Sequence, residues 1–236
     1  MHGTSSSSRI RHTLKNRTRK IKPDSRSIGV VISKTAKIGT NCRIGHFSKI
    51  GENCIIGDNV TIGDRVTIEQ NTMIGKNSRI QSGVTVGVDG FSYERDEHNF
   101  ELERFPHISG VKIGDNVEVS SNCSIARGSL SDTIIGDGTK IDVLVHIAHN
   151  VQIGRNCVLA SGTIVGGSTK IGEACWCGLN CTIKHKVTIG TGVTIGNGSS
   201  VIRDISDGEI VEGVPAKSIK NRVRSKQLIP MTGIAE

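Results

Sequence analysis

Two histidines stand at a spacing that could support proton-transfer chemistry. His149 and His185 are thirty-six residues apart, and Gly167, preceded by Gly166, lies midway between them. An imidazole titrates near neutral pH and can take a proton from an attacking nucleophile, while a glycine leaves its backbone N–H open to a developing oxyanion. This set favours acyl transfer, with His149 as the general base, Gly167 as the oxyanion donor and His185 meeting the acyl donor or holding a water.

A six-residue repeat predicts the scaffold that would bring these residues together. An aliphatic residue recurs every sixth position from Ile32 to Val86, from Ile113 to Ile125, and, with Cys177 as the one exception, from Ile135 to Val201. Glycine follows most of these positions in the first run. This period fits neither an amphipathic helix nor an alternating strand. It is typical of an all-β parallel β-helix in which three six-residue sides make one coil of 18 residues.

The coil places residues i and i+18 side by side, at roughly the 4.8 Å spacing of paired strands. His149, Gly167 and His185 would therefore share one column, with the two histidines about 10 Å apart. The twenty-five repeats predict about eight coils, occupying residues 27–216.

An insertion interrupts the repeat from Val88 to Gly110. It holds four of the five Phe and Tyr residues of the chain. One interpretation is a flap that covers a ligand or a neighbouring subunit's groove, with Phe91 and Tyr93 contacting substrate; the other is a loop that packs its own small core. The Asp89-Gly90 pair at the root of the loop favours the flap.

A four-residue slip of the repeat follows at residues 127–132. Such a slip changes the direction of neighbouring side chains, and Arg127 lies within it. Arg127 is a candidate for contacting a substrate phosphate, and the alternative is a structural ion pair.

The seven cysteines do not predict a metal site. Six of them lie two positions before a repeat residue, and Cys177 occupies a repeat position, so small buried thiols would fill the interior. Cys175, Cys177 and Cys181 lack the paired C-x2-C spacing of zinc sites. We expect no metal, and seven free thiols are typical of a reducing compartment.

The net charge of +8 is concentrated at the two ends. Residues 1–26 contain eight Lys or Arg and one Asp, and residues 217–236 contain five cations and one anion. The first segment is predicted to be a flexible basic arm and the second a short basic C-terminal tail. Without interleaved aromatic residues or a base-reading motif we expect no nucleic-acid partner. No apolar run reaches the ~18 residues of a membrane span, so the sequence predicts a cytoplasmic protein.

Four stretches resemble the UDP-3-O-acylglucosamine N-acyltransferases of lipid A (lipopolysaccharide) biosynthesis. They are His146-Ile-Ala-His-Asn150, Val88-Asp-Gly-Phe-Ser-Tyr93, Ile125-Ala-Arg-Gly-Ser-Leu-Ser-Asp-Thr-Ile-Ile135 and Gly166-Gly-Ser168. The resemblance runs from about Ile32 to Pro215, and residues 1–26 have no counterpart of the family's N-terminal uridine-binding domain. It implies a left-handed β-helix and a homotrimer with active sites between subunits. It also implies His149 as general base, Gly167 as oxyanion donor and His185 beside the acyl donor.

The sequence differs from the family where Ala126 and Val143 replace the usual Asp and Asn. The Gly213-Val-Pro-Ala-Lys217 stretch is instead similar to the ending of smaller acetyl-CoA-dependent sugar acetyltransferases.

The expected function is therefore transfer of an acyl group from a thioester to the amino group of a nucleotide-linked amino sugar. Asn150, His146 and His185 would orient the reactants. No cofactor would be permanently bound, because acyl-CoA or an acyl carrier protein serves as co-substrate. Lys217 and Lys220, with Arg222 and Arg224, would pair with the phosphates of coenzyme A or with an acidic carrier protein, unless they form only a solvated tail.

Two other classes remain open. A γ-carbonic-anhydrase-like zinc enzyme could use His149 and His185 as ligands with a third from a neighbouring subunit. A non-catalytic β-helix that only assembles or binds glycan would lose nothing measurable on replacement of His149.

Overall fold

The computed structural model describes residues 28–219, and this part of the chain consists of short strands joined by tight turns, without a helix. The proposed N-terminal arm and the cations Lys220, Arg222 and Arg224 lie outside the described residues. Within the described part, nothing has the length and apolarity of a membrane-crossing helix.

Most strands span only two residues, because each six-residue side turns a corner after its inward aliphatic residue. In chain order the strands are β1 (Val31–Ile32), β2 (Lys37–Ile38), β3 (Arg43–Ile44), β4 (Lys49–Ile50), β5 (Ile55–Ile56), β6 (Thr61–Ile62), β7 (Thr67–Ile68), β8 (Thr72–Ile74), β9 (Arg79–Ile80), β10 (Thr85–Val88), β11 (Tyr93–Arg95), β12 (Leu102–Arg104), β13 (Val111–Ile113), β14 (Glu118–Val119), β15 (Ser124–Ala126), β16 (Thr133–Ile135), β17 (Lys140–Ile141), β18 (His146–Ile147), β19 (Gln152–Ile153), β20 (Val158–Leu159), β21 (Ile164–Val165), β22 (Lys170–Ile171), β23 (Trp176–Cys177), β24 (Thr182–Ile183), β25 (Thr188–Ile189), β26 (Thr194–Ile195), β27 (Ser200–Val201), β28 (Ile210–Glu212) and β29 (Lys217–Ser218).

Three stacked sheets form the sides of a β-solenoid. The first contains every third strand from β1 to β10 and from β15 to β27, and the three sheets hold nine, eight and ten strands. The predicted parallel β-helix is thus confirmed, although the stack is deeper than about eight coils. The ten-stranded sheet extends beyond the last repeat residue, Val201, through β28 and the antiparallel β29. β28 pairs with β26 through Thr194 and Ile210, at an offset of sixteen residues instead of eighteen.

The register confirms the 18-residue coil and locates both interruptions. Val31 pairs with Lys49, eighteen residues on. Thr72 pairs with Val111, which leaves twenty-one additional residues in the inserted loop. Val111 pairs with Thr133, which leaves the four residues of the slip. β14–β17 and β15–β18 also span the slip and share this offset of twenty-two. Every pair formed by strands that both follow the slip, from β16–β19 to β24–β27, returns to eighteen, so the column positions predicted for residues after the slip are preserved.

The interior is a set of aliphatic columns with almost no exposed surface. Ile125, Ile147, Val165 and Ile183 stack in successive coils of the first sheet and are each at most 2% exposed. Burying side chains of this size contributes about 1.5–3 kcal/mol each. All seven cysteines are free, and all are buried except the half-buried Cys42, as the repeat predicts.

Asparagine allows the sharp corners. Ten asparagines in the turns have positive φ, between 53° and 61°, where most side chains are strained and Asn is tolerated. Their amides also bond to one another between coils, as when Asn59 Nδ2 donates to Asn77 Oδ1 at 3.2 Å. The corners therefore add polar ladders to the apolar ones.

Candidate active site

The structure brings His149, Gly167 and His185 into one column. They follow β18, β21 and β24, which are consecutive in the nine-stranded sheet. The backbone of each turn is tied to the next: Ser168 N donates to His149 O, and Lys186 N donates to Gly167 O, both at 2.9 Å.

Gly167 lies against the Nε2 end of the His149 ring. A Cβ added at this glycine would lie 2.7 Å from His149 Nε2 and 2.8 Å from its Cε1. Real Cβ atoms do not approach this closely, so any larger residue would displace the imidazole. The glycine is needed here for close approach, and Nε2 faces the bare peptide.

The Gly167 N–H has no acceptor among residues 28–219. At the same point of other coils the N–H is bound by a side chain one coil on, as Thr40 N is by Asp58 Oδ1 at 2.6 Å. The residue one coil beyond Gly167 is His185, whose side chain makes no such bond. The N–H at Gly167 is therefore available to a ligand oxygen.

Asn150 fixes the orientation and tautomer of His149. Its Oδ1 lies 2.8 Å from His149 Nδ1 and accepts from Ser129 N and Oγ at 3.2 and 2.9 Å. Its Nδ2 donates to Ser131 O at 2.8 Å. Because a backbone donor and a backbone acceptor set the amide orientation, His149 Nδ1 must be the donor to Oδ1. In the neutral ring Nε2 then carries the lone pair and is the available base.

His149 forms part of the wall of two neighbouring cavities. One, of about 500 Å³, contains the column, both glycines and the root of the insertion, and is lined by Val88, Asp89, Gly90, Phe91, Ser124, Ala126, His146, Ala148, His149, Gly166, Gly167 and His185. The other, of about 450 Å³, is rich in hydroxyl and amide groups and is lined by Ser92, Glu94, Phe105, Ser129, Leu130, Ser131, His149, Asn150, Gln152, Ser168 and Lys170. A base between two cavities can face two reactants at once.

Phe91 and Tyr93 extend from the inserted loop, which folds into the antiparallel hairpin β11–β12. Phe91 is 87% exposed and contacts Tyr93 edge-on at 5.1 Å between ring centroids, while Arg104 lies over the Tyr93 ring. With Phe100 also exposed, the hairpin does not bury its aromatic residues in a core of its own, which favours the flap interpretation. Phe91 lines the first cavity; Tyr93 lines neither.

Arg127 lies at the base of this hairpin and is only 4% exposed. Its Nε donates to Gly87 O at 2.6 Å and lies 3.6 Å from Asp89 Oδ1. The other carboxylate oxygen of Asp89, Oδ2, pairs with Arg104. It lines neither cavity. This environment favours the structural ion pair over the phosphate contact.

Lys217 is the described member of the candidate donor-binding pair. It lies exposed in β29, which pairs antiparallel with β28 through Glu212, and it lines neither cavity. Lys220 is outside the described residues.

His107 is the feature that the sequence did not predict. It lies near the end of the insertion, 7% exposed, and its ring contacts the His149 ring edge-to-face at 5.2 Å between centroids. Burial lowers the pKa of His107 below its usual value, and the neighbouring His149 lowers it further. Its sequence neighbourhood has no repeat, so only the close packing implied by Gly90 at the other end of the insertion could have suggested the contact.

Within residues 28–219 of one chain, no three His, Cys, Asp or Glu side chains lie close enough together to hold a metal ion.

Comparison with known proteins agrees with the fold. The family model "Bacterial transferase hexapeptide (six repeats)" matches residues 29–64, 53–87 and 132–167, and the model "Hexapeptide repeat of succinyl-transferase" matches residues 168–203. The two models together place hexapeptide repeats at residues 29–87 and 132–203.

The sequence relatives described next share one enzyme name. It is 48% identical over 145 residues to a UDP-3-O-acylglucosamine N-acyltransferase of Caulobacter vibrioides, covering 61% of this chain and 42% of the relative. The enzyme of the same name from Nitratidesulfovibrio vulgaris is 46% identical over 145 residues, which again cover 61% of this chain and 42% of the relative. The chain therefore spans about two fifths of the length of these relatives.

Solved structures show the same architecture. The UDP-N-acetylglucosamine O-acyltransferase of Moraxella catarrhalis superposes with a TM-score of 0.72 at 27% identity, covering 85% of this chain and 77% of that one. The UDP-N-acetylglucosamine acyltransferase of Campylobacter jejuni gives 0.70 at 26% identity, covering 84% and 76%.

Proposed function

We propose that this protein transfers an acyl group from a thioester to the amino group of a nucleotide-linked amino sugar. The observation that carries the proposal is the His149 ring, oriented by Asn150 with its Nε2 facing the open peptide of Gly167. The sequence relatives support a UDP-linked acceptor and N-acylation, because proteins named UDP-3-O-acylglucosamine N-acyltransferase are 46–48% identical to this chain over 145 residues.

The reaction follows from this geometry. Nε2 of His149 takes a proton from the amine as the amine attacks the thioester carbonyl, and Nδ1–H remains bonded to Asn150 while the ring becomes an imidazolium. The carbonyl oxygen becomes an oxyanion that the Gly167 N–H stabilises. The C–S bond then breaks, the amide forms, and the proton on His149 protonates the departing thiolate.

The two cavities suggest how the reactants are divided. The thioester belongs beside Gly167 and His185, where the oxyanion donor lies, with His146 and Phe91 along its path. The hydroxyl-rich cavity with Gln152 and Lys170 suits a sugar bearing phosphate, because hydroxyls and amides bond sugar oxygens and lysine attracts phosphate. His149, in the shared wall, reaches both.

The active assembly we propose is a homotrimer, with the exposed hairpin aromatics meeting a neighbouring subunit and the donor arriving as acyl-CoA or acyl carrier protein. The loaded donor is a co-substrate, so no permanently bound cofactor takes part.

The test is thioester release, measured with acetyl-CoA and acyl-carrier-protein donors against UDP- and dTDP-linked amino sugars. We expect release that depends on an amino-sugar acceptor and that is lost in His149→Ala. His98→Ala, at the hairpin tip, is the control. Release that is independent of every amino sugar, or undiminished in His149→Ala, would overturn the proposal.

A further inference from the structure

His107 has an unusual environment for a buried histidine. Both ring nitrogens are buried without a hydrogen-bond partner. Among residues 28–219, no other buried side-chain nitrogen or oxygen atom is left unpaired in this way. Leaving such groups unpaired is costly, and a phenyl ring would fill the space without that cost. Packing alone therefore does not account for a histidine here.

The position of His107 relates it to one other side chain. Its ring lies edge-to-face with His149. A Cβ at Gly90 would lie 2.5 Å from His107 Nε2 and 2.9 Å from His149 Cβ, so the Gly90 peptide packs against both histidines. His149 is thus held between Gly167 on one side and the Gly90–His107 wall on the other.

The surroundings of His107 disfavour its protonated form on balance. Asp89 favours its protonated form, as does the Phe105 carbonyl, which does not reach hydrogen-bonding geometry. Burial, His149 and Arg104 oppose protonation, and the net effect is a lowered pKa. A cation forming at His149 opposes it further.

A neutral imidazole with no committed partner has a free choice of tautomer. Most buried histidines are fixed in one tautomer by a hydrogen bond, as His149 is by Asn150. His107 can carry its proton on either nitrogen. It can therefore adopt the tautomer whose ring dipole stabilises a positive charge on the neighbouring side chain. In a buried, low-dielectric wall that interaction is strong.

We propose that His107 is a positioning residue for His149, stabilising the imidazolium that His149 becomes when it takes the proton from the attacking amine. The effect of His107 on catalysis rests on the proposed function. Its electrostatic part concerns two side chains of the resting protein and can be tested without substrate.

The experiment compares full-length His107→Phe and His107→Gln with the wild type and with His98→Phe, a matched change at the exposed hairpin tip. The pH midpoint of the His149 ring signals is followed by NMR, and kcat, KM and the acid limb of the pH profile are measured. Thermal melting checks that each variant is folded.

In His107→Phe we expect the His149 midpoint and the acid limb both to move to lower pH, because the imidazolium loses stabilisation. kcat should fall about tenfold with KM within about twofold, since a weaker base slows proton transfer. His107→Gln, which keeps a polar group, should recover part of both effects, and His98→Phe should match the wild type.

An unchanged His149 midpoint in a folded His107→Phe would overturn the inference, as would a shift to higher pH. If no acceptor supports activity, the proposed function fails, but the NMR comparison still decides the role of His107.

Discussion

Asn150 Oδ1 lies 2.8 Å from His149 Nδ1 and accepts from both the backbone and the hydroxyl of Ser129, so one amide oxygen connects the candidate base to the segment where the repeat slips. The segment 127–132, which contains the four extra residues, forms the opposite side of this clamp, because Ser131 receives the Asn150 amide protons. The slip is thus the structural device that orients the base.

Asn150→Gly should remove the clamp without straining the backbone, because glycine tolerates the φ of 59° at this position. Losing control of the tautomer should reduce kcat/KM about 100-fold, within the range by which a positioned base accelerates proton transfer. Asn156→Gly changes a similar exposed corner with φ 57° and no histidine contact, and should leave kcat/KM within about twofold. Equal losses in both variants would show that corner stability, not orientation of His149, is what Asn150 provides.

Gly167→Ala should disable the site while leaving the solenoid folded. The added methyl would lie 2.7 Å from His149 Nε2 and must push the ring away, and a displacement near 1 Å can cost about 100-fold in rate. The relevant measurements are kcat and the melting temperature. Gly192→Ala is a control for the methyl group itself, since nothing lies within 4 Å of a Cβ there, although its φ of 67° adds backbone strain. A Gly167→Ala protein with wild-type kcat would contradict the contact on which the oxyanion assignment depends.

The sequence predicted the coil and the column because both follow from one local rule. An inward aliphatic residue every six positions fixes which residues lie eighteen apart, and so places His149, Gly167 and His185 together. The contact between His107 and His149 could not be predicted in this way. It depends on how the inserted segment folds back from Gly90, and that segment has no period. The burial of Arg127 and the Ser129–Asn150 bond were hidden for the same reason, since a slip shows where the repeat fails but not how the chain closes it.

The stability of the protein should fall as the pH drops below about 6.5, which is the usual pKa of a histidine side chain. Burial lowers the pKa of His107 in the folded state, so the unfolded chain binds a proton first on acidification. The contribution of His107 to stability is complete above its pKa in the unfolded chain, and it is lost as the pH falls toward its pKa in the folded protein. Melting temperatures measured from pH 7.5 to 5 should decline, and the decline should be shallower in His107→Phe. Identical pH slopes in the two proteins would exclude His107 as the source.

The base of the hairpin gives a prediction in which burial decides the size of the effect. Arg127→Met keeps the aliphatic stem but removes the 2.6 Å bond to Gly87 O and the charge beside Asp89, leaving a carbonyl unpaired in a buried site. The free energy of unfolding should fall by about 1–3 kcal/mol. Arg155→Met removes an ion pair with Glu173 whose side chains are 60% and 52% exposed, and should cost much less, because solvent screens an exposed pair. Denaturant titration of both variants measures the difference.

Because Gly90 follows Asp89 directly and packs on His149, Arg127→Met should also lower kcat, and Arg155→Met should not. A hairpin that tolerates Arg127→Met as easily as the exposed change would mean that the root of the insertion is held by its backbone contacts alone.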